Sequence, residues 1–349
     1  MPSLQIGLAG AGLMGRLLAW RLALAGHRVT VFDPASGPEP LAGETRAAGW
    51  TAAGMLSPVA ELECANAAVA ALGQRSLVLW PQWLARCRQP VFFAQRGSLL
   101  LVHPSDRGMA QRLLGLLQSR SPGVVIEALD ATRRDALEPG LQRQMLAWLL
   151  PGEGQIHSVQ AMQAMFAAAS DAGAQWLWGQ PVIQLEPGRL RTERGWQRFD
   201  CVIDARGLGA RPELPVRGVR GELLWLHAPG VPLHRPLRLL HARHRVYLVP
   251  RPGDLIVVGA SEIESEDRSS ISLRSTVELL AAAHSVIPEL AEARVVHSET
   301  NLRPALPDNL PLLHSEPGLL RINGLFRHGW LIAPALAEQV LTQLEEFAR

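Results

Sequence analysis

The chain contains no lysine: all 34 of its Lys-plus-Arg positions are arginine. That absence excludes a Schiff-base lysine, a phosphate-loop lysine and a lysine that activates oxygen. Cysteine is scarce as well. Cys64, Cys87 and Cys201 lack metal-ligand spacing and make an odd number, so neither a metal site nor a disulfide framework is expected, and a reducing cytoplasm is. A net charge of +2 over 349 residues is too small to point to nucleic acid or an anionic membrane. Low-complexity tracts and internal repeats are missing. With 48% hydrophobic and 19% charged residues the composition is globular, and the length suits two domains or one interleaved pair. The apolar run from Ile6 to Ala25 is broken by Arg16 and Arg21, each costing roughly 2.5 kcal/mol or more in lipid. No basic leader precedes it and no cleavage pattern follows, so neither a membrane span nor a signal segment is expected.

What is there begins at once. Leu4 to Ala9 reads as a buried strand, Gly10-Ala11-Gly12-Leu13-Met14-Gly15 as a glycine turn, Arg16 to Ala25 as a helix and His27 to Phe32 as a second strand ending at Asp33. Each part suits an ADP group. Gly10 allows the tight turn, Gly12 lets the backbone approach a pyrophosphate, and Gly15 lets the helix lie on the strand. The helix N-terminus offers N–H groups and a partial positive charge to phosphates. Asp33 stands about 20 residues on, where a carboxylate accepts ribose hydroxyls and disfavours a 2′-phosphate.

Farther along, Pro34 to Gly43 reads as a loop. The small residues from Arg46 to Leu56 suit either tight helix packing or close approach to something flat. Helices are expected over Cys64–Arg86, Asp106–Ser119, Ala131–Leu137, Ser158–Ala172, Thr276–Ile287 and about Ala333–Phe347. Val91 to His103 reads as strands around a turn at Gln95-Arg96-Gly97, and Val124 to Ala128 as a strand. Phe199 to Gly207 reads as a second buried strand running into a glycine turn. Glu222–His227, Arg245–Val249 and Asp254–Val258 read as neighbouring antiparallel strands, and Leu319–Ile322 as a strand near the end.

Four stretches together resemble the D-amino-acid-oxidase-like flavoproteins, a family of FAD amine oxidases. They are the N-terminal glycine turn, Ala52-Ala53-Gly54-Met55-Leu56, Val202-Ile203-Asp204-Ala205-Arg206-Gly207, and Gly324-Leu325-Phe326-Arg327-His328-Gly329-Trp330-Leu331-Ile332-Ala333-Pro334. Within the family the likeness is greatest to glycine oxidases of bacterial thiamine biosynthesis, through Tyr247-Leu248-Val249-Pro250-Arg251, Asn301 to Asp308 and Arg327-His328-Gly329. The resemblance implies FAD rather than NAD. It implies an α/β fold in which a Rossmann-like FAD domain (1–85, 150–215, 300–349) is interleaved with an α+β antiparallel-sheet substrate domain (86–149, 216–299). The cofactor residues it implies are Gly10, Gly12, Leu13, Met14, Gly15, Asp33, Ala53, Gly54, Met55, Val182, Gly207, Gly324, His328, Gly329, Trp330 and Leu331. Gly324 and Gly329 would flank a loop beside the isoalloxazine, and a helix from Ala333 would aim its N-terminus at the edge where charge gathers on reduction. Some members tether the flavin through a cysteine near the C-terminus. This chain has none after Cys201, so non-covalent FAD is expected.

The implied reaction is oxidation of glycine, sarcosine or small D-amino acids by O2 to an imine or 2-oxo acid with H2O2, the imine serving the thiazole of thiamine. The implied partners are a small amino acid and O2, without nucleic acid or membrane; a homo-oligomer is left open. A D-amino-acid dehydrogenase feeding a quinone, an RNA-modifying flavin module and a non-catalytic flavin protein are the competing classes. Arg303 matches the family's carboxylate-binding arginine, and a guanidinium meets a carboxylate as a bidentate fork. Tyr247, the single tyrosine, would add a hydroxyl, or else packs across strands. Arg327 either lines the same pocket or clamps a loop. Glu262 replaces the apolar residue expected of a glycine oxidase; it would attract an ammonium or stand exposed. His241, Arg243, His244 and Arg245 read as a solvated basic hairpin rather than a metal site.

Overall fold

The structure is a computed structural model that describes residues 3–41, 43–240 and 245–347; His241, Arg243 and His244 lie outside the described residues. The apolar stretches pair as a six-stranded sheet in the order Leu312–Glu316, Leu319–Asn323, Cys201–Asp204, Gln5–Ala9, Arg28–Asp33 and Gln175–Trp178. All neighbours are parallel except the first pair. Strands buried on both faces need helices on both sides or a second layer. Here the helices Leu13–Leu24, Ser158–Asp171, Ala67–Leu84 and Gly329–Phe347 pack around one core with Trp20, Trp80 and Trp330 inside it.

An eight-stranded, mostly antiparallel sheet faces this unit. Its order is Arg294–Ala305, Arg217–His227, Leu255–Gly259, Arg245–Arg251, Leu237–Leu240, Ser98–Val102, Leu146–Leu150 and Glu127–Leu129. Alternate residues take opposite faces. Leu224, Leu248 and Val258 meet the helix Leu273–Val286 on one side, while Leu223, Tyr247 and Val257 turn to the other, with Ala53 and Met55. The expected strand neighbours are present. The strands expected around the turn at Gln95-Arg96-Gly97 are present as well, but in different sheets: Phe93–Ala94 joins a small sheet with Gly154–Ile156, and Ser98–Val102 enters the large sheet beside Leu237–Leu240. The turn at Gly97 thus hands the chain from one sheet to another, which short apolar runs cannot reveal. The strand Arg294–Ala305 also lies wholly in the large sheet, so a boundary at residue 300 would cut it.

The last helix starts at Gly329, one turn before the expected Ala333. Pro334 caused the misreading, since proline favours the first turn of a helix and breaks its interior. Inside this helix it leaves the Trp330 carbonyl without its i+4 donor. The Trp80 indole N–H donates to that carbonyl at 3.0 Å, and the Ala335 N–H donates to Ser76 Oγ at 3.1 Å. Trp80 and Trp330 also stack, with centroids 5.6 Å apart. The helix Ala67–Leu84 therefore repairs the gap that Pro334 opens. Trp80→Phe keeps an aromatic ring but orphans a buried carbonyl, a loss of about 1–3 kcal/mol. Urea unfolding should show that drop; an unchanged midpoint would mean that the carbonyl finds another donor.

Candidate active site

A cavity of about 1250 Å³ lies between the C-terminal ends of the parallel strands and the inner face of the antiparallel sheet. The crevice outside the carboxyl ends of parallel strands is where open α/β sheets bind ligands. Gly10, Asp33, Gly207 and Asn323, each at or just past a strand end, line it. Gly10 has φ +101°, and a Cβ there would stand 2.6 Å from the Ala205 carbonyl oxygen. A Cβ on Gly15 would overlap the Gly10 carbonyl, so Gly15 serves helix–strand contact and does not line the cavity. Gly12 does line it, and the helix Leu13–Leu24 has no side-chain cap there. Its first-turn N–H groups are open to an anion. Asp33 accepts from the Ala11 N–H at 2.5 Å and the Ala35 N–H at 2.8 Å. Burial raises its pKa, and these two N–H groups and Arg16 oppose that. The carboxylate thus fastens the glycine turn to the end of the second strand, and it still lines the cavity.

Leu13, Met14, Ala53, Gly54, Met55, Val182, His328, Gly329, Trp330 and Leu331 line the cavity too. Gly324 does not; it turns the chain with φ +70°, and its missing Cβ makes room for Leu306. The cavity's size, the glycine cradle and the uncapped helix end fit a dinucleotide such as FAD.

On the opposite wall the antiparallel register brings the charged groups together. Arg238 pairs with Tyr247, Tyr247 with Gly259 and Gly259 with Leu223, forming one row across four strands. Val219 pairs with Arg303 and Gly221 with Asn301 on the next rungs. Two glycines make room for the two large side chains. A Cβ on Gly259 would stand 2.7 Å from Tyr247 Oη, and one on Gly221 would stand 2.7 Å from Arg303 Nη1. Neither glycine is visible as functional in the sequence, because its role depends on its cross-strand neighbour.

Arg303 donates only to carbonyls: Nη1 to Arg220 at 3.3 Å, and both Nη1 and Nη2 to Ser261 at 3.1 Å. No carboxylate among the described residues is in ion-pair contact with it, and burial lowers its pKa. Burial raises that of Tyr247. Arg327 is different. Its Nε lies 3.1 Å from Glu61 Oε2, and its Nη1 donates to Glu262 Oε2 at 3.1 Å. It both lines the cavity and ties two segments together. Glu262, the departure from expectation, is thus a partner of Arg327 rather than an isolated surface charge.

Glu61 was not anticipated. It also meets Arg238 at 3.3 Å and His328 Nδ1 at 3.2 Å. Burial would raise its pKa, yet Arg327, His328 and Arg238 hold it well below the ordinary carboxylate value. Arg327 and His328 directly precede the last helix, the positive end of its dipole. A guanidinium there, with that of Arg238 close by, needs a carboxylate, which is the physical reason for Glu61. Among the described residues no cluster of His, Cys, Asp and Glu could hold a metal, and no helix is long and apolar enough to cross a membrane.

The family of FAD dependent oxidoreductases, DAO, matches this chain over residues 9–344. The chain belongs to that family. It is 37% identical over 345 residues to a Rhizobium etli protein named for thiamine biosynthesis, ThiO, covering 98% of this chain and 96% of that protein. It is 27% identical over 351 residues to the glycine oxidase of Geobacillus kaustophilus, covering 95% of this chain and 90% of that enzyme. The crystal structure of glycine oxidase from Geobacillus kaustophilus superposes with a TM-score of 0.85 at 25% identity, covering 99% of this chain and 95% of that one. The protein is therefore an FAD-dependent oxidoreductase of the ThiO and glycine oxidase type, with a Rossmann-like FAD fold interleaved with an antiparallel sheet.

Removing the Glu61 carboxylate takes away the ion pair on the deep side of Arg327 and leaves Arg238 with Glu63 alone. Breaking a buried ion pair in this way costs about 3–5 kcal/mol. Glu61→Gln should lose stability of that order at pH 7 in urea unfolding. The folded pKa lies below the unfolded value of about 4.3, so the carboxylate's contribution is complete above that value and is lost as pH falls through the folded pKa. The gap between variant and parent should persist from pH 7 to about pH 5 and close only in stronger acid. A gap already closed near pH 6 would show a carboxylate with no bound cation.

Proposed function

We propose that the protein oxidises glycine, and also sarcosine and small D-amino acids, with O2 as electron acceptor, giving the imine or 2-oxo acid and H2O2. The imine would supply the thiazole of thiamine, in the cytoplasm. The observation that carries this reading is Arg303: a half-buried cationic fork, facing the cavity, held by carbonyls alone. Such a charge lacks an anion of its own, and a planar carboxylate matches its fork. Tyr247 beside it would give the second contact from its hydroxyl. Arg327, already paired to Glu61 and Glu262, is the loop clamp of the trio. The glycine turn and Asp33 would hold the ADP part of the cofactor. Ala53 to Met55, Gly207 and the His328–Leu331 segment would hold the remainder, with Val182 near the nucleotide end. Bound FAD supplies the electron acceptor. The protein's share is to fix the substrate's carboxylate and so aim its α-hydrogen, which needs no general base once the amine is neutral. The division into FAD and substrate domains follows the two sheets.

Purified protein should be yellow, and acid should release all of its FAD, since no cysteine follows Cys201. Oxygen uptake should be seen with glycine, sarcosine and D-alanine, little with D-phenylalanine and none with L-alanine. Turnover with dyes alone would place the protein among dehydrogenases, and fast D-phenylalanine oxidation without glycine oxidation would remove the thiamine assignment. Arg303→Ala should weaken glycolate binding by about 1.5–3 kcal/mol, and Tyr247→Phe by about 0.5–1.5 kcal/mol, with FAD content unchanged. Gly221→Ala keeps Arg303 but drives its guanidinium off its seat, and should reproduce much of the arginine's loss. Glycolate binding by Arg303→Ala at the parental level would overturn the assignment of Arg303.

A further inference from the structure

Ser261 and Glu262 are adjacent in the chain, and they meet two different arginines of the cavity, Arg303 and Arg327. The Ser261 carbonyl accepts both Arg303 Nη groups, a neutral contact that leaves the charge of Arg303 uncompensated. The Glu262 carboxylate instead accepts from Arg327 Nη1, and so neutralises it. The two sides of this pair differ in depth: the Glu262 side chain is 43% exposed and that of Arg327 16%. On its deep side Arg327 meets Glu61, which it shares with Arg238 and His328. Arg327 spends Nε and Nη2 on Glu61 there, Arg238 has Glu63 at 2.6 Å as a further partner, and the remaining Arg327 nitrogen, Nη1, is taken by Glu262 from the rim.

Glu262 is not needed to hold its loop. Ile263 pairs with Arg220 through backbone hydrogen bonds, Arg217 pairs with Glu264, and Arg211 with Glu266. On the other side of Glu262 the Ser261 N–H donates to the Glu222 carbonyl at 3.2 Å, so the loop is anchored on both sides without it. Its carboxylate, lining the cavity beside a second guanidinium, has an electrostatic consequence instead. It occupies a guanidinium donor that would otherwise stand open to the cavity near Arg303.

We propose that Glu262 is a specificity-determining residue: by occupying the rim-side donor of Arg327 it confines the pocket to amino acids with a single carboxylate and repels those with a second acid group. This rests on the amine-oxidase reading of the cavity. An amino dicarboxylate that placed one carboxylate on Arg303 would bring its other toward Arg327. There it would meet the Glu262 carboxylate, and like charges so placed exclude a ligand as effectively as a steric clash. Removing the carboxylate frees a guanidinium donor and removes the repulsion together.

The test compares two ligands on the FAD-loaded enzyme, glycolate with one carboxylate and malonate with two, by perturbation of the flavin spectrum. In the parent protein malonate should bind at least tenfold more weakly than glycolate. In Glu262→Gln the ratio of the two dissociation constants should narrow tenfold or more, and Glu262→Arg should narrow it further. The kcat/KM for iminodiacetate relative to glycine should rise in the same order. A ratio that stays the same in all three proteins, with glycolate still binding, would overturn the role of Glu262 while leaving the pocket's assignment intact. A parent protein that binds malonate as tightly as glycolate would overturn it too. Absence of any glycolate effect on the parent spectrum would instead bring down the amine-oxidase reading, and this inference with it.

Discussion

Glu61 carries its charge into the seam between the two sheets, and the arrangement of the cavity depends on it. Arg238 reaches it from the antiparallel sheet, and Arg327 and His328 from the segment that follows the last parallel strand. Without a carboxylate at this point two guanidinium groups would lie beside the positive end of a helix, Arg238 left with Glu63 and Arg327 with Glu262. With it, the same groups draw the two layers together around the space they enclose. A buried ion pair by itself contributes little net stability. Its value here lies in register: it sets where the flavin-side segment stands relative to the sheet that carries Tyr247 and Arg303.

The opposite wall follows from what two glycines omit. Gly221 and Gly259 lie on neighbouring strands, and each leaves a hollow that a guanidinium or a phenol ring fills from an adjoining strand. In an antiparallel sheet, neighbouring side chains across strands interact as pairs. Here small and large residues are opposed across the strands, so polar groups on long side chains lie flat along the cavity wall and keep a fixed position.

How much of this is legible in the chain depends on how local each feature is. The strand, glycine turn, helix and acid of the first 33 residues are consecutive, and their roles read directly. Arg303, Tyr247 and the Gly324–Pro334 segment are legible through resemblance. Glu61, Gly221 and Gly259 escape both routes. Their function exists only after strands far apart in sequence come into register, and nothing in their immediate neighbours marks them. The strands on either side of Gly97 are legible as strands, but their entry into two different sheets is not, because a short strand does not declare which sheet it will join. The late start assigned to the last helix failed because Pro334 is tolerated only through side chains from another helix.

That repair by Trp80 and Ser76 also acts as an index mark. The two helices are keyed at Pro334, where the Trp80 indole and the Ser76 hydroxyl meet backbone groups of the last helix. An α-helix advances about 1.5 Å and turns about 100° with each residue, so a slip of one position would carry Trp330 and Leu331 around and away from the cavity they line. Insertions and deletions are therefore admissible in the loops outside this interval but not between Ser76 and Trp80, nor between Trp330 and Ala335. The spacing of those few residues, more than their identity as apolar filler, is what later changes to the chain must preserve.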